Sequence, residues 1–185
     1  GGVFKSTDTG DTWAESNFAL PSFAVADPTK LGYYNLEINP VDSNELYLGI
    51  FGKGVYKSTN GAATWMPLYE LDEKSVYNLA STGDYLFVGT NSQPSLYKTP
   101  SINQDWKAIS NLEDQSTVVS SIALNPVDSN EIYVTAFPGG LFKTKDGGET
   151  WYEISALLDF KKKFISGIGF ENFFYNVLVN PVKSN

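Results

Sequence analysis

One phrase recurs along this chain and limits what it can fold into. Asn39-Pro40-Val41-Asp42-Ser43-Asn44 returns as Asn125-Pro126-Val127-Asp128-Ser129-Asn130 and again as Asn180-Pro181-Val182-Lys183-Ser184-Asn185. Each follows a short apolar run, and a degenerate fourth copy spans Tyr77 to Gly83. The copies start at residues 34, 77, 120 and 175, so the spacings are 43, 43 and 55. A second phrase falls later in each period: Gly2-Val3-Phe4-Lys5-Ser6, Gly54-Val55-Tyr56-Lys57-Ser58, Ser95-Leu96-Tyr97-Lys98-Thr99 and Gly140-Leu141-Phe142-Lys143-Thr144. Seven residues after each closing hydroxyl stands a tryptophan, and Trp13, Trp65, Trp106 and Trp151 are all the tryptophans the chain has. Units of this size cannot bury a hydrophobic face alone. They must stack on one another.

The unit reads as four strands. The first is the Tyr34-Asn35-Leu36-Glu37-Ile38 type of run, and the Asn-Pro phrase after it is a turn, with Pro fixing φ and Asn, Asp and Ser bonding locally to backbone. The second is Glu45 to Ile50 and its equivalents at 85–90 and 131–136. Leu46, Leu48 and Ile50 take one face of it, and Tyr47 and Phe51 the other. Both faces are apolar, as in a strand packed between two layers. The third strand is the Gly-Val-Tyr-Lys-Ser type of run, and the fourth begins at the tryptophan. Only Ile154 to Phe164 carries helical spacing. Four-stranded units at about 43 residues predict an all-β fold, a β-propeller or an arc of one.

The turn between strands three and four is sharper still. Ser6-Thr7-Asp8-Thr9-Gly10-Asp11-Thr12-Trp13 and Thr144-Lys145-Asp146-Gly147-Gly148-Glu149-Thr150-Trp151 share the pattern Ser/Thr-x-Asp-x-Gly-x-Thr-Trp. Ser58 to Trp65 is a weakened copy with Asn60 at the Asp place, Ala62 at the Gly place and Thr64 kept, while Thr99 to Trp106 keeps only the hydroxyl and the tryptophan. The chain thus resembles the Asp-box, or BNR-repeat, β-propellers: sialidases, xyloglucanase-type glycoside hydrolases, sortilin-like receptors, photosystem assembly propellers and repeat proteins of bacterial cell surfaces. The resemblance covers nearly the whole chain and speaks to fold far more than to function. It implies an extracellular, cell-surface or periplasmic bacterial protein, and places this turn on the propeller face opposite the functional one. The expected role of Ser6, Asp8, Gly10, Thr12, Trp13, Ser58, Asn60, Thr64, Trp65, Trp106, Thr144, Asp146, Gly148, Thr150 and Trp151 is therefore structural. The carboxylate accepts turn N–H groups, the glycine supplies positive φ, and each tryptophan is expected to be buried between blades.

The expected organisation is a single propeller domain over 1–185: a half blade at 1–16, blades at 34–68, 77–110 and 120–154, and the first strand of another at 175–180. An opening in mid-pattern and a close before a second strand predict a window on a larger propeller, whose partners would include its own further blades. A four-bladed ring closed by 175–180 beside 2–13 is the rival.

Composition removes most chemistries. The chain has no His, no Cys and no Arg, with 13 lysines against 21 acids and a net charge of −8. There is no thiolate, no Cys/His metal site and no Ser-His-Asp triad, and a calcium site at Asp8 and Asp11 lacks the ligand count of a dedicated loop. No cofactor or metal is expected. The negative charge argues against nucleic acid, and no run is long enough to insert in a membrane. A sialidase grips its substrate carboxylate with arginines, which this chain lacks.

The expected binding face carries the loops between strands two and three, Phe51-Gly52-Lys53, Asn91-Ser92-Gln93-Pro94 and Phe137-Pro138-Gly139, and the long links 14–33 and 152–174. Candidate ligand contacts are Phe51, Lys53, Asn91, Gln93, Phe137, Phe18, Phe23 and Phe164. Lys161-Lys162-Lys163 reads as a solvated tip. In xyloglucanase-type hydrolases one catalytic Asp precedes strand three, and the matching places here are Phe51, Asn91 and Phe137. No catalytic residue is identified, and Asp27 and Asp159 are weak candidates only. The leading function is a non-catalytic binding or scaffold module for a glycan or a protein. The alternative is part of an Asp-box glycoside hydrolase with its catalytic carboxylates outside this stretch.

Overall fold

A computed structural model describes residues 2–21, 34–71, 73–100, 105–109, 112, 118–137, 140–154, 177 and 179. Two strands, β1 (Phe4–Lys5) and β2 (Ala14–Glu15), form an antiparallel pair. Three four-stranded antiparallel sheets follow. The first contains β3 (Tyr34–Ile38), β4 (Leu46–Ile50), β5 (Gly54–Ser58) and β6 (Met66–Leu68). The second contains β7 (Val76–Ser81), β8 (Tyr85–Thr90), β9 (Leu96–Pro100) and β10 (Lys107–Ala108). The third contains β11 (Val118–Leu124), β12 (Ile132–Phe137), β13 (Gly140–Thr144) and β14 (Tyr152–Glu153). Each sheet keeps the chain order of its strands. The fold is all-β and of the β-propeller type, with the sheets as blades 1, 2 and 3 and the β1–β2 pair as a half blade.

The hairpin turns form for the reason their residues suggest. Asn39 Oδ1 accepts the Val41 N–H at 2.9 Å, and Asp42 Oδ1 accepts the Asn44 N–H at 2.9 Å. Asn125 and Asp128 do the same for Val127 and Asn130 at 2.9 and 3.0 Å. Each short side chain thus supplies an acceptor that the tight turn denies its backbone.

The core lies between blades. Val3, Leu46, Leu48, Ile50, Ala62 and Trp65 bury the junction of the half blade with blade 1. Tyr47, Val55, Leu79, Leu86 and Val88 belong to the next cluster, and Phe87, Val119, Ile122, Val134 and Phe142 to the third. The two apolar faces of β4 therefore serve different neighbours. Polar side chains on the first strands add a repeated bridge. Asn35 Nδ2 donates to Tyr77 O, Ile122 N donates to Asn78 Oδ1, and Val177 N donates to Ser121 Oγ at 3.3 Å. These are equivalent positions, so Val177 meets blade 3 as Ile122 meets blade 2.

The tryptophans do not all behave as the repeat predicts. Trp65 is 1% exposed, Trp106 and Trp151 are half-buried, and Trp13 is 63% exposed. The expectation of four buried tryptophans is thus wrong for Trp13. Trp65 and Trp151 pack against the preceding unit, and their Nε1–H groups donate to Ser16 O and Ile109 O at 2.8 and 3.1 Å. Among the described residues no unit precedes the half blade, so Trp13 turns its N–H onto Gly10 O of its own turn at 3.0 Å. The same asymmetry appears on the inner strands. Leu36 is 49% exposed, whereas its equivalents Leu79 and Ile122 are 6% and 7% exposed.

Blade spacing also depends on a bare backbone in the second strand. A Cβ built on Gly49 would lie 2.5 Å from Val76 Cγ1 and 3.0 Å from Val76 Cβ. Val76 is buried and β-branched, so it cannot swing aside. Gly49→Ala is expected to lower unfolding stability by roughly 1–3 kcal/mol through overpacking. Chemical denaturation reads this directly, and a midpoint equal to wild type would show that the two blades can move apart.

Candidate functional site

The two ends of the blades differ in what their polar groups do. At one end lie the turns between strands three and four. Asp8 Oδ1 accepts the Ser6 hydroxyl at 2.8 Å and the Thr12 N–H at 2.9 Å, while Ser6 Oγ accepts the Gly10 N–H at 2.8 Å. Asp146 repeats this with Thr144 at 2.6 Å and Thr150 N–H at 2.9 Å, and Gly148 N–H reaches Thr144 Oγ at 3.1 Å. Asn60 holds Ser58 and Thr64 in the same places at 3.0 and 2.9 Å, and its amide donates to Thr64 Oγ at 2.9 Å. Gly10 and Gly148 have φ near 100° here, and Ala62 adopts φ 70° at the same position. Asp8, Asn60 and Asp146 are each bonded within their own turn, while Glu149 of the third turn pairs with Lys107 of blade 2.

Electrostatics at this end follow from those bonds. The Thr12 hydroxyl and N–H, with the Ser6 hydroxyl, pull Asp8 down from 3.8 to about 2. The Thr144 hydroxyl and both Thr150 donors pull Asp146 well below the usual carboxylate range. Next to the turns, Glu45 pairs with Lys57 at 2.6 Å and takes the Tyr47 hydroxyl. Burial pushes Glu45 up, but bonds from Lys57, Tyr47 and Asn39 outweigh it and hold the carboxyl low. Glu131, Lys143 and Tyr133 form the same triad in blade 3, with the ion pair at 2.9 Å and Lys143 bonded to Tyr133 at 2.7 Å. Blade 2 has Tyr85 and Phe87 in those places. Lys98 lies 4.0 Å over the Tyr85 ring instead and donates to Gly147 O of blade 3 at 3.2 Å, with burial lowering its pKa.

The other end carries the loops between strands two and three. Phe51 is 39% exposed, and Lys53, Asn91 and Gln93 are exposed beside it in sequence. The scaffold beneath them is bonded sideways across the boundary of blades 1 and 2. Gly52 N–H donates to Ser75 Oγ at 3.1 Å, Gly54 N–H to Lys74 O at 3.0 Å, and Ser75 N–H to Asn91 Oδ1 at 3.2 Å. Lys74 Nζ donates to Ser92 Oγ at 3.1 Å and lies 5.5 Å over the Tyr97 ring. Lys74 and Ser75 stand in the short link between blades, a place the sequence reading passed over in favour of longer links. A serine or lysine in the short link 69–75 gives no motif by which it could be found.

Phe137 ends β12 opposite Val118 at this same end. Phe18 is 73% exposed on the link after β2, and its carbonyl accepts the Trp65 N–H at 3.2 Å. Phe23, Asp27, Asp159, Phe164 and Lys161 to Lys163 lie outside the described residues, as does nearly all of Ile154 to Phe164. The structure therefore brings Phe51, Lys53, Asn91 and Gln93 to one end, and Phe18 stands apart on the half blade. Among the described residues, no group of three or more acidic side chains could hold a metal ion, and no helix is long and apolar enough to cross a membrane. A cleft of about 500 Å³ is lined by Lys143, Lys145, Asp146, Thr150, Tyr152 and Ile154 of blade 3, and none of the loop-end candidates lines it.

No protein-family model matches the chain. It is similar to a probable oligoxyloglucan-reducing end-specific xyloglucanase of Neosartorya fischeri, 27% identical over 182 aligned residues, covering 82% of this chain and 22% of the relative. Similarity to the xyloglucanase Xgh74A of Acetivibrio thermocellus is also 27%, over 153 residues, with 82% and 16% covered. The photosystem II assembly protein Ycf48 of Thermosynechococcus vestitus is 24% identical over 157 residues, with 83% and 41% covered. In backbone, the chain matches the GH74 enzyme of Niastella koreensis with a TM-score of 0.64 at 19% identity, covering 82% of this chain and 26% of that one. The GH74 xyloglucanase of Xanthomonas campestris gives 0.65 at 16% identity, with the same coverages. The chain thus spans about a fifth of the length of the xyloglucanases it matches.

Two outcomes are expected from the chemistry of the strand three-to-four turns. Asp146→Ala lowers the denaturation midpoint, because Thr144 and Thr150 lose their acceptor. Asp146→Asn lowers it less, since Asn60 shows that an amide can hold the same frame. The second outcome concerns pH. Folded carboxyls below their unfolded value stabilise the fold above pH near 3.8, and that stabilisation is lost as pH falls through the folded values, about 2 for Asp8. Acid titration of wild type and Asp8→Asn should show this loss diminished in the variant. Superimposable acid transitions would remove Asp8 from the account.

Proposed function

We propose that this chain is a stretch of an extracellular Asp-box propeller that binds a plant-type β-glucan, of the xyloglucan class, on the end bearing the strand two-to-three loops. It supplies binding surface and no acid/base pair. The observation that carries this reading is the division between the two ends. Asp8, Asn60 and Asp146 are bonded within their own turns, whereas Phe51, Lys53 and Gln93 stand exposed at the other end beside Asn91, whose Oδ1 takes part in the lateral bonding there. An exposed ring flanked by amides and an ammonium suits sugar rings and their hydroxyls. The similarity to two xyloglucanases supports the choice of glycan class.

The catalytic part of such a protein would lie elsewhere. Carboxylic acid pairs act about 5–5.5 Å apart for retention or 6.5–9.5 Å for inversion. The positions before strand three hold Phe51, Asn91 and Phe137, none of which can transfer a proton. A second reading, a protein-binding assembly propeller of bacterial surfaces with a sortilin-like role, draws on the similarity to Ycf48.

The test is affinity electrophoresis and calorimetry of the purified chain with xyloglucan, with reducing ends followed in parallel. Retarded migration is expected without release of reducing ends. Phe51→Ala should weaken binding about tenfold, about 1.4 kcal/mol. Wild-type migration unaffected by xyloglucan would sink the glycan reading. Turnover that vanishes in Asp27→Ala or Asp159→Ala would make this stretch catalytic.

A further inference from the structure

Two dipeptides of succinimide-forming type, Asn60-Gly61 and Asp146-Gly147, occupy the same place in two of the strand three-to-four turns. In such a pair the glycine backbone nitrogen can attack the side-chain Cγ before it, because glycine offers no Cβ to block the approach. Both glycines are held at positive φ, 64° for Gly61 and 69° for Gly147. Both also give their N–H to the strand one-to-two turn of the same blade, Gly61 to Asn44 O at 2.9 Å and Gly147 to Asn130 O at 3.0 Å. The attacking nitrogen is thus engaged elsewhere. The carbon under attack is fixed as well, since Asn60 Oδ1 accepts from Ser58 Oγ and Thr64 N and its amide donates to Thr64 Oγ.

The two pairs differ in leaving group. Asp146 would have to lose water from a protonated acid, and its bonds keep it ionised. Asn60 loses ammonia and needs no protonated acid. Its side chain is exposed, so water reaches it. The half-blade turn has Thr9 where the others have glycine and carries no such pair.

We propose that Asn60 is a deamidation site, held closed by the folded turn of blade 1 and released when that turn opens. The Gly61 nitrogen bonds to Asn60 Cγ, and its proton is carried by water to Nδ2. The bond from Cγ to Nδ2 breaks, and the amide leaves as ammonia. Water then opens the cyclic imide. Opening at Cγ leaves an aspartate on an unaltered backbone. Its oxygens stand where those of Asp8 and Asp146 stand, with the Thr64 hydroxyl turning to donate. Opening at the Asn60 backbone carbonyl leaves an isoaspartate, whose extra main-chain carbon pushes Ser58 and Thr64 out of register. One product completes the acidic turn and the other breaks it.

The experiment incubates the intact protein at mildly alkaline pH, with and without guanidinium chloride, and quantifies the Asn60 peptide by mass spectrometry. The native rate is expected to be at least about tenfold below the denatured rate, as for any reaction gated by local opening. Thr64→Val removes the hydroxyl that anchors the amide and should move the native rate toward the denatured one. Ser58→Ala, which frees Oδ1, serves if Thr64→Val does not fold. Asn60→Gln should abolish the signal in denaturant. Equal native and denatured rates, or no conversion at Asn60 in denaturant, would overturn the proposal.

Discussion

The tryptophan that packs from one unit onto the cluster it shares with the unit before is the contact on which this architecture depends. A blade of four short strands exposes apolar side chains on both faces, so no blade is stable as a separate object. Trp65 and Trp151 each reach back to a carbonyl three residues beyond the preceding tryptophan, at Ser16 and Ile109. One large side chain thus fills the interface and satisfies a carbonyl at a strand end. Trp13 makes no such contact, and Leu36 is correspondingly open on the inner strand of the same side. Both exposures lie on the side of the first unit that no described blade covers.

The same economy separates the two ends of each blade. Box-end turns must close a hairpin in few residues, and they do so by spending hydroxyls, carboxylates and amides on backbone donors. The loop end is built otherwise. Its bonds run sideways, from Gly52 to Ser75 and from Ser75 to Asn91, which ties neighbouring blades. Bonds that fix this base in advance leave less ordering to be done on binding.

Much of the fold was legible because repetition makes each residue testify several times. The Asn-Pro turns, the positions of β4, β8 and β12, and the bonding of Asp8 and Asp146 follow from residue types whose effects are local. The tryptophan burial was not legible in full, because burial depends on a neighbour and Trp13 has the same sequence surroundings as Trp65. Of the candidate site, Phe51, Lys53, Asn91 and Gln93 could be grouped from their common place in the repeat. Lys74 and Ser75 could not, since their role comes from bonds across a blade boundary that no spacing encodes.

Degenerate positions show how the repeat tolerates drift. Blade 2 lacks the glutamate that neutralises the strand-three lysine in blades 1 and 3. Left alone, a half-buried ammonium would be costly. Tyr85 replaces the glutamate and offers its ring face to Lys98 at 4.0 Å, while Gly147 O accepts from the same ammonium. The lysine thereby exchanges an ion pair within its blade for a ring contact there and a bond to the next blade. Lys5 of the half blade makes the matching bond to Gly61 O at 2.8 Å. Strand-three lysines thus follow two regimes, inward in blades 1 and 3 and across the boundary in the half blade and blade 2. In blade 2, where Tyr85 stands in the glutamate's place, the lysine has become a link to the next blade.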